Sequence, residues 1–229
     1  MDFRYESEMT KPVEDWLLSQ GMHVKREYPT PWGICDLVGC SLNKNKIRTR
    51  LNLGQNRPIG SQFRVLLLSY IPDKEKDEVV SFAELHRQFA GFLDESFIEK
   101  ELVRLIKDKF VQEVQSGIFQ KLNGWFPLHK RIVAVELKLT RISEVISQAH
   151  SNLEFADESY VGLPYDNAKH LFASRDRRQL AEKGLGIIGV HKGGIRVFLR
   201  SQFEGGSTLV SKMHCVERFW RTYPKGTLA

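Results

Sequence analysis

Three charged side chains stand in two of the most apolar stretches of this chain, where a strand would least tolerate them. In Arg131 to Leu139 (RIVAVELKL), strand alternation puts Glu136 and Lys138 on one face and Val135, Leu137 and Leu139 on the other. Asp36 stands in a second such stretch, ICDLVGC, flanked by Ile34, Leu37 and Val38. Charges in these settings are costly unless each has a partner or a water-filled cleft. An Asp/Glu-x-Lys string arises about once or twice by chance in a chain of this length. Here it occurs once, inside the most hydrophobic predicted strand.

The chemistry that suits two carboxylates and a lysine on stiff supports is phosphodiester hydrolysis. That reaction needs an activated water, neutralisation of charge growing on the phosphate, and protonation of the leaving oxygen. Two carboxylates can hold Mg²⁺, with Mn²⁺ as a substitute, because hard cations prefer oxygen ligands. Asp36 and Glu136 fit that task, the backbone carbonyl of Leu137 is a third ligand, and Lys138 would orient the attacking water and stabilise the crowded phosphorane. The competing reading is a buried ion pair between Lys138 and one of the acids, without catalysis.

The elements that must position these groups can be read from periodicity. Glu8 to Gln20 carries Met9, Val13, Trp16 and Leu17 at helical spacing and stops at Gly21. A strand over Met22 to Glu27 follows, then a Pro/Gly stretch, then the Asp36 strand. Beyond a basic connector, Phe63 to Tyr70 predicts a short helix, Ser81 to Glu84 a capping box opening a second, and Ser96 to Glu99 a capping box opening a third. Alternation around Ser116-Gly117 predicts a hairpin. Three helices and a two-stranded wing resemble a winged helix-turn-helix module, whose third helix serves DNA or partner contacts. The Glu136 strand comes next, then a helix over Ile142 to Leu153, a strand over Ser159 to Leu163, a helix over Asp166 to Glu182, and strands over Gly186 to His191 and Ile195 to Leu199. This order predicts an α/β fold with a mixed central sheet flanked by helices. The expected division is residues 1–54 and 128–229 as the outer domain, with 55–127 inserted.

Charge points to a polyanionic partner. The net charge is +6, and residues 169–229 carry 12 Lys/Arg against 4 Asp/Glu. Residues 43–57 add five basic groups and no acid. The basic, aromatic tail (Arg218, Phe219, Trp220, Arg221, Tyr223, Lys225) could stack on exposed bases, but packing back on its own sheet is the favoured expectation. Cys35, Cys40 and Cys215 lack zinc spacing and are expected as reduced thiols, Cys35 and Cys40 buried. The histidines show no zinc-hydrolase spacing, and no Walker loop or GxGxxG string suggests a nucleotide cofactor. No run nears the roughly 18 apolar residues of a membrane span, and the N-terminus lacks a signal-peptide pattern, so no membrane association and a cytoplasmic location are expected.

The order Glu8, then ICD36LVGC, then VAVE136LK138 resembles the PD-(D/E)XK nuclease superfamily, to which many restriction enzymes and archaeal Holliday junction resolvases belong. The likeness covers residues 1–54 and 128–229. It implies a restriction-endonuclease-like core in which Asp36 and Glu136 are metal ligands and Lys138 is the catalytic lysine. The acid on the leading helix that completes the metal shell is then Glu8, with Glu14 as the alternative. Gln148 on the next helix and Tyr160 on the next strand are possible substrate contacts. Cys35 stands where the family carries proline before the Asp. The long separation between Asp36 and Glu136 follows from the inserted module. The expectation is therefore a Mg²⁺-dependent DNA endonuclease acting as a homodimer, since one centre per chain cuts one strand. The alternative is a non-catalytic DNA-binding or regulatory protein on a degenerate nuclease fold.

Overall fold

The computed structural model describes residues 3–122, 127–202 and 209–221. A 3-10 turn, Glu6–Met9, leads into α1 (Thr10–Ser19), β1 (His23–Thr30) and β2 (Gly33–Leu42). Next come α2 (Lys44–Asn52), α3 (Gln62–Tyr70), β3 (Val80–Ser81), α4 (Phe82–Phe89), α5 (Glu95–Lys107), β4 (Val111–Gln115) and β5 (Ile118–Lys121). The remainder is β6 (His129–Leu137), α6 (Ile142–Asn152), β7 (Glu158–Pro164), α7 (Tyr165–Ala173), α8 (Asp176–Glu182), β8 (Gly186–His191), β9 (Gly194–Leu199) and α9 (Leu209–Trp220). The chain forms two compact units: Met1–Leu42 with His129–Thr208, and Asn43–Leu128 with Leu209–Ala229.

In the first unit the strands form a mixed six-stranded sheet in the order β1-β2-β6-β7-β8-β9. β6, β7 and β8 run parallel, whereas β1, β2 and β9 add antiparallel edges. Alternate residues feed two cores. Val133, Val135 and Leu137 of β6 join Leu37 and the α1 residues Val13 and Leu17 on one face. Val161 and Leu163 of β7 join Val145 and Ala149 of α6 and Leu171 and Leu180 on the other. This is the α/β class expected from the order of elements: a mixed sheet flanked by helices. The single helix expected over 166–182 is two. Ser174 is extended (φ −82, ψ 171) and accepts the Asp176 amide at 3.1 Å, so a serine ends one helix and caps the next.

The second unit builds its own core from Val65, Leu68, Leu85, Ile98, Leu102 and Leu105 of α3 to α5 over a small antiparallel sheet, β3-β5-β4. Ser81 and Glu84 form the expected capping box at α4. At α5 the expected box is absent: the helix begins at Glu95, and its N-cap Asp94 makes no side-chain bond.

The boundaries differ from 55–127. The basic stretch read as a connector contains α2, whose N-terminus is capped by Asn43, with Oδ1 accepting the amides of Asn45 and Lys46 at 3.1 and 3.3 Å. The C-terminal helix α9 also belongs to this unit rather than to the outer sheet. Met213 joins the α3 to α5 core, and Glu217 binds the buried Arg50 of α2 through both carboxylate oxygens. Phe219 and Trp220 are buried and so cannot present their faces to bases, while Tyr223 and Lys225 lie outside the described residues. No helix among the described residues is long and apolar enough to cross a membrane.

Candidate functional site

Asp36 and Glu136 meet where β2 and β6 part. Regular pairing begins at Leu37↔Val135. One step beyond, the Asp36 carboxylate enters the gap, and its Oδ2 accepts the Leu137 amide at 2.7 Å. A side chain thereby satisfies a strand amide, and the acid is fixed on the sheet instead of swinging from it. Glu136 is 3% exposed, and its Oε1 accepts from Asn152 Nδ2 at 2.7 Å.

Both acids are held above their ordinary range. Burial raises Glu136 to about 7, and the charge of Asp36 adds to the rise, against the bonds from Asn152 and Cys35. Asp36 is raised chiefly by burial and further by Glu6, opposed by the Leu137 amide, the Lys138 charge and a side-chain hydrogen bond with Glu136.

Lys138 lies just past the end of β6. Its amide donates to the Gly162 carbonyl at 3.0 Å, continuing the ladder, while Nζ lies 3.3 Å from Glu6 Oε2. Glu6 Oε1 accepts the Leu139 amide at 3.2 Å, so one carboxylate grips both backbone and side chain at this strand end. A cleft of about 440 Å³ opens there, lined by Glu6, Asp36, Leu137, Arg26, Glu27 and Thr10 among others.

Asp36, Glu136, Lys138 and Leu137 are thus brought together as expected from their strands, but the other expected residues stand elsewhere. Glu8 folds back on its own turn, where Oε2 accepts the amides of Arg4 and Tyr5. Those bonds pull its carboxyl below the usual range. Glu14 binds Arg26 with both oxygens. The leading-segment acid at the centre is Glu6, two residues before Glu8 and ahead of α1. Gln148 is exposed on α6. Tyr160 is buried in the α1-side core, edge-on to Trp16, and its hydroxyl donates to Glu158 at 2.7 Å. Burial and the Glu158 carboxylate push it up to about 12, a packing residue rather than a substrate contact.

Asn152, one turn beyond Gln148, is the α6 residue that reaches the acids. Nothing in the sequence separates it from an ordinary helix-ending asparagine. Cys35 completes the surroundings of Glu136: its Sγ lies 3.4 Å from the Leu37 carbonyl and 3.6 Å from the Val135 carbonyl, and accepts from Asn152 at 3.4 Å. Burial and the two neighbouring acids push this thiol well up. All three cysteines are buried and none forms a disulfide. Among the described residues no group of three or more His, Cys, Asp and Glu side chains is set to hold a metal ion. Comparisons with protein-family models, curated proteins and solved structures return no match for this chain.

Proposed function

We propose that this protein is a Mg²⁺-dependent DNA endonuclease of the PD-(D/E)XK type. The observation that carries the reading is the placement of Asp36 and Glu136 on neighbouring, paired strands, both acids pushed up by burial, with Lys138 beside them. Each acid has one oxygen tied to a protein N–H, by Leu137 for Asp36 and by Asn152 for Glu136. The second oxygen of each, with the Leu137 carbonyl, is a donor set for a hard cation that keeps several of its own waters. When bound, the ion would supply Lewis-acid neutralisation of the phosphate and a more acidic water.

The protein's own groups take the remaining tasks. Lys138, held by Glu6, orients the attacking water and offsets charge on the phosphorane. Leu137 fixes Asp36 and Asn152 fixes Glu136, so the donors need little reorganisation when substrate arrives. The second unit, read as an inserted winged helix, positions DNA or a partner. Its cleft of about 370 Å³ is lined by Arg57, Arg64, Arg104 and Lys107 with Asp108 and Pro58, Arg64 and Arg104 pairing with Glu101 and Arg57 with Asp108, and is the surface this reading assigns to a phosphate backbone. Two copies of the chain would cut both strands of a duplex.

A second reading has its own observation. Asp36 and Glu136 each already accept from a protein N–H, of Leu137 and Asn152, and so are satisfied without a metal, as in a DNA-binding protein on a degenerate nuclease fold. Incubation with plasmid, linear duplex, single-stranded and four-way-junction DNA separates the two. Cleavage that requires Mg²⁺, stops in EDTA and is lost in Asp36→Asn, Glu136→Gln and Lys138→Met supports the enzyme. Salt-sensitive binding with no cleavage of any substrate supports the second reading.

A further inference from the structure

Tryptophan is the side chain a small domain can least easily leave in water, and Trp32 is 43% exposed at the turn between β1 and β2. The next residue but one, Ile34, is 60% exposed, so the hairpin tip presents apolar surface. Yet the indole is fixed. Its ring stacks on Phe155 (centroids 6.3 Å apart, planes 24° apart), which in turn stacks on Tyr28 at 5.6 Å. Its Nε1 donates to Asn152 Oδ1 at 3.3 Å. Asn152 is fully buried and spends its amide in both directions, accepting from Trp32 and donating to Glu136. The exposed indole is therefore two hydrogen bonds from a carboxylate of the candidate centre.

We infer that Trp32 is a stacking platform for an unpaired nucleobase of the DNA substrate, and that Asn152 ties this platform to the position of Glu136. The inference rests on the DNA reading above and deepens it by naming the substrate class. Every base has a π-face that stacks on an aromatic ring, but in a continuous duplex those faces are covered by neighbouring base pairs. An indole at a hairpin tip reaches one only where bases are splayed: a single-stranded tail, a flap, a bulge or a junction. The ordering cost that usually weakens such contacts is already met, because Phe155 and Asn152 hold the ring in place before binding. Asn152 acts through Glu136 and is a positioning residue. Trp32 touches substrate.

The test measures binding of full-length protein in EDTA, so that nothing is cut, to three labelled probes: a single-stranded oligonucleotide, a blunt duplex, and the duplex with a single-stranded tail. Trp32→Ala is expected to weaken the single-stranded and tailed probes by about 5- to 150-fold while blunt-duplex affinity stays near wild type. Trp32→Phe, which keeps a ring but cannot donate to Asn152, should retain most of that affinity and slow cleavage of the tailed probe in Mg²⁺. Thermal unfolding checks that both variants fold. Equal loss on all three probes, or no loss on any, overturns the inference and leaves the nuclease reading standing if wild-type protein cuts. Wild-type protein that neither binds nor cuts any probe overturns both.

Discussion

The two units each bury a carboxylate among apolar side chains, and they treat it in opposite ways. In the second unit Glu217 receives both forks of Arg50, with Nη2 at 2.8 Å, and also the Ile59 amide at 2.7 Å. Arg50 in turn lies over the Phe110 and Trp220 rings, 4.9 and 5.2 Å from their centroids. Its charge is matched in place, and the pair fastens α2 to α9. In the first unit Glu136 has an amide and a thiol for neighbours and a second acid beside it, with its pKa up to about 7. A buried acid with its cation built in is architecture. A buried acid left with an amide, a thiol and a second acid for neighbours is instead held above its ordinary range.

The largest effect that probes this contrast comes from the matched pair. Glu217→Ala should destabilise the protein by about 3–5 kcal/mol, since it strands a buried guanidinium, and Arg50→Met with Glu217→Leu should recover most of that in denaturant unfolding. If the single variant unfolds normally, Arg50–Glu217 is not the fastening described here. Glu136→Gln is the opposite experiment: cleavage falls on the order of 10²- to 10³-fold while thermal stability without metal stays level or rises.

pH sharpens the same contrast. Because the folded protein holds a proton on Glu136 more tightly than the unfolded chain does, the associated stability is complete below about 4.5 and drains away as pH rises through about 7. Asp36, also raised, acts in the same direction. Unfolding in EDTA should therefore show stability falling between those pH values, a slope that Glu136→Gln reduces and that Mg²⁺ at pH 7 counteracts. A flat profile would mean the acids are not under-compensated. The smallest expected effect separates neighbouring acids. Glu6→Gln should slow cleavage by about 10- to 100-fold by loosening Lys138, whereas Glu8→Gln should leave the rate near wild type and only lower the melting temperature slightly.

Local rules carried much of this molecule. The strands around Asp36 and Glu136 and the α/β class follow from periodicity, because alternation and turn residues act within a few positions, whereas α2, α9 and the break between α7 and α8 do not. The Ser81–Glu84 capping box is likewise local, and so is the stop at Gly21, where φ is +72. The sequence by itself also singled out Asp36, Glu136 and Lys138, since charge inside an apolar strand is visible without coordinates.

Other choices were made only in three dimensions. Whether Glu6, Glu8 or Glu14 faces Lys138 depends on how the leading turn docks on the end of β6, and three acids within nine residues look alike on paper. Asn152 is recruited by a helix that ends above the sheet, and α9 joins the second unit because Glu217 finds Arg50 across 167 positions. Such pairings are long-range contacts between residues whose types are common, so no spacing along the chain encodes them. Chain geometry alone brings them within bonding distance.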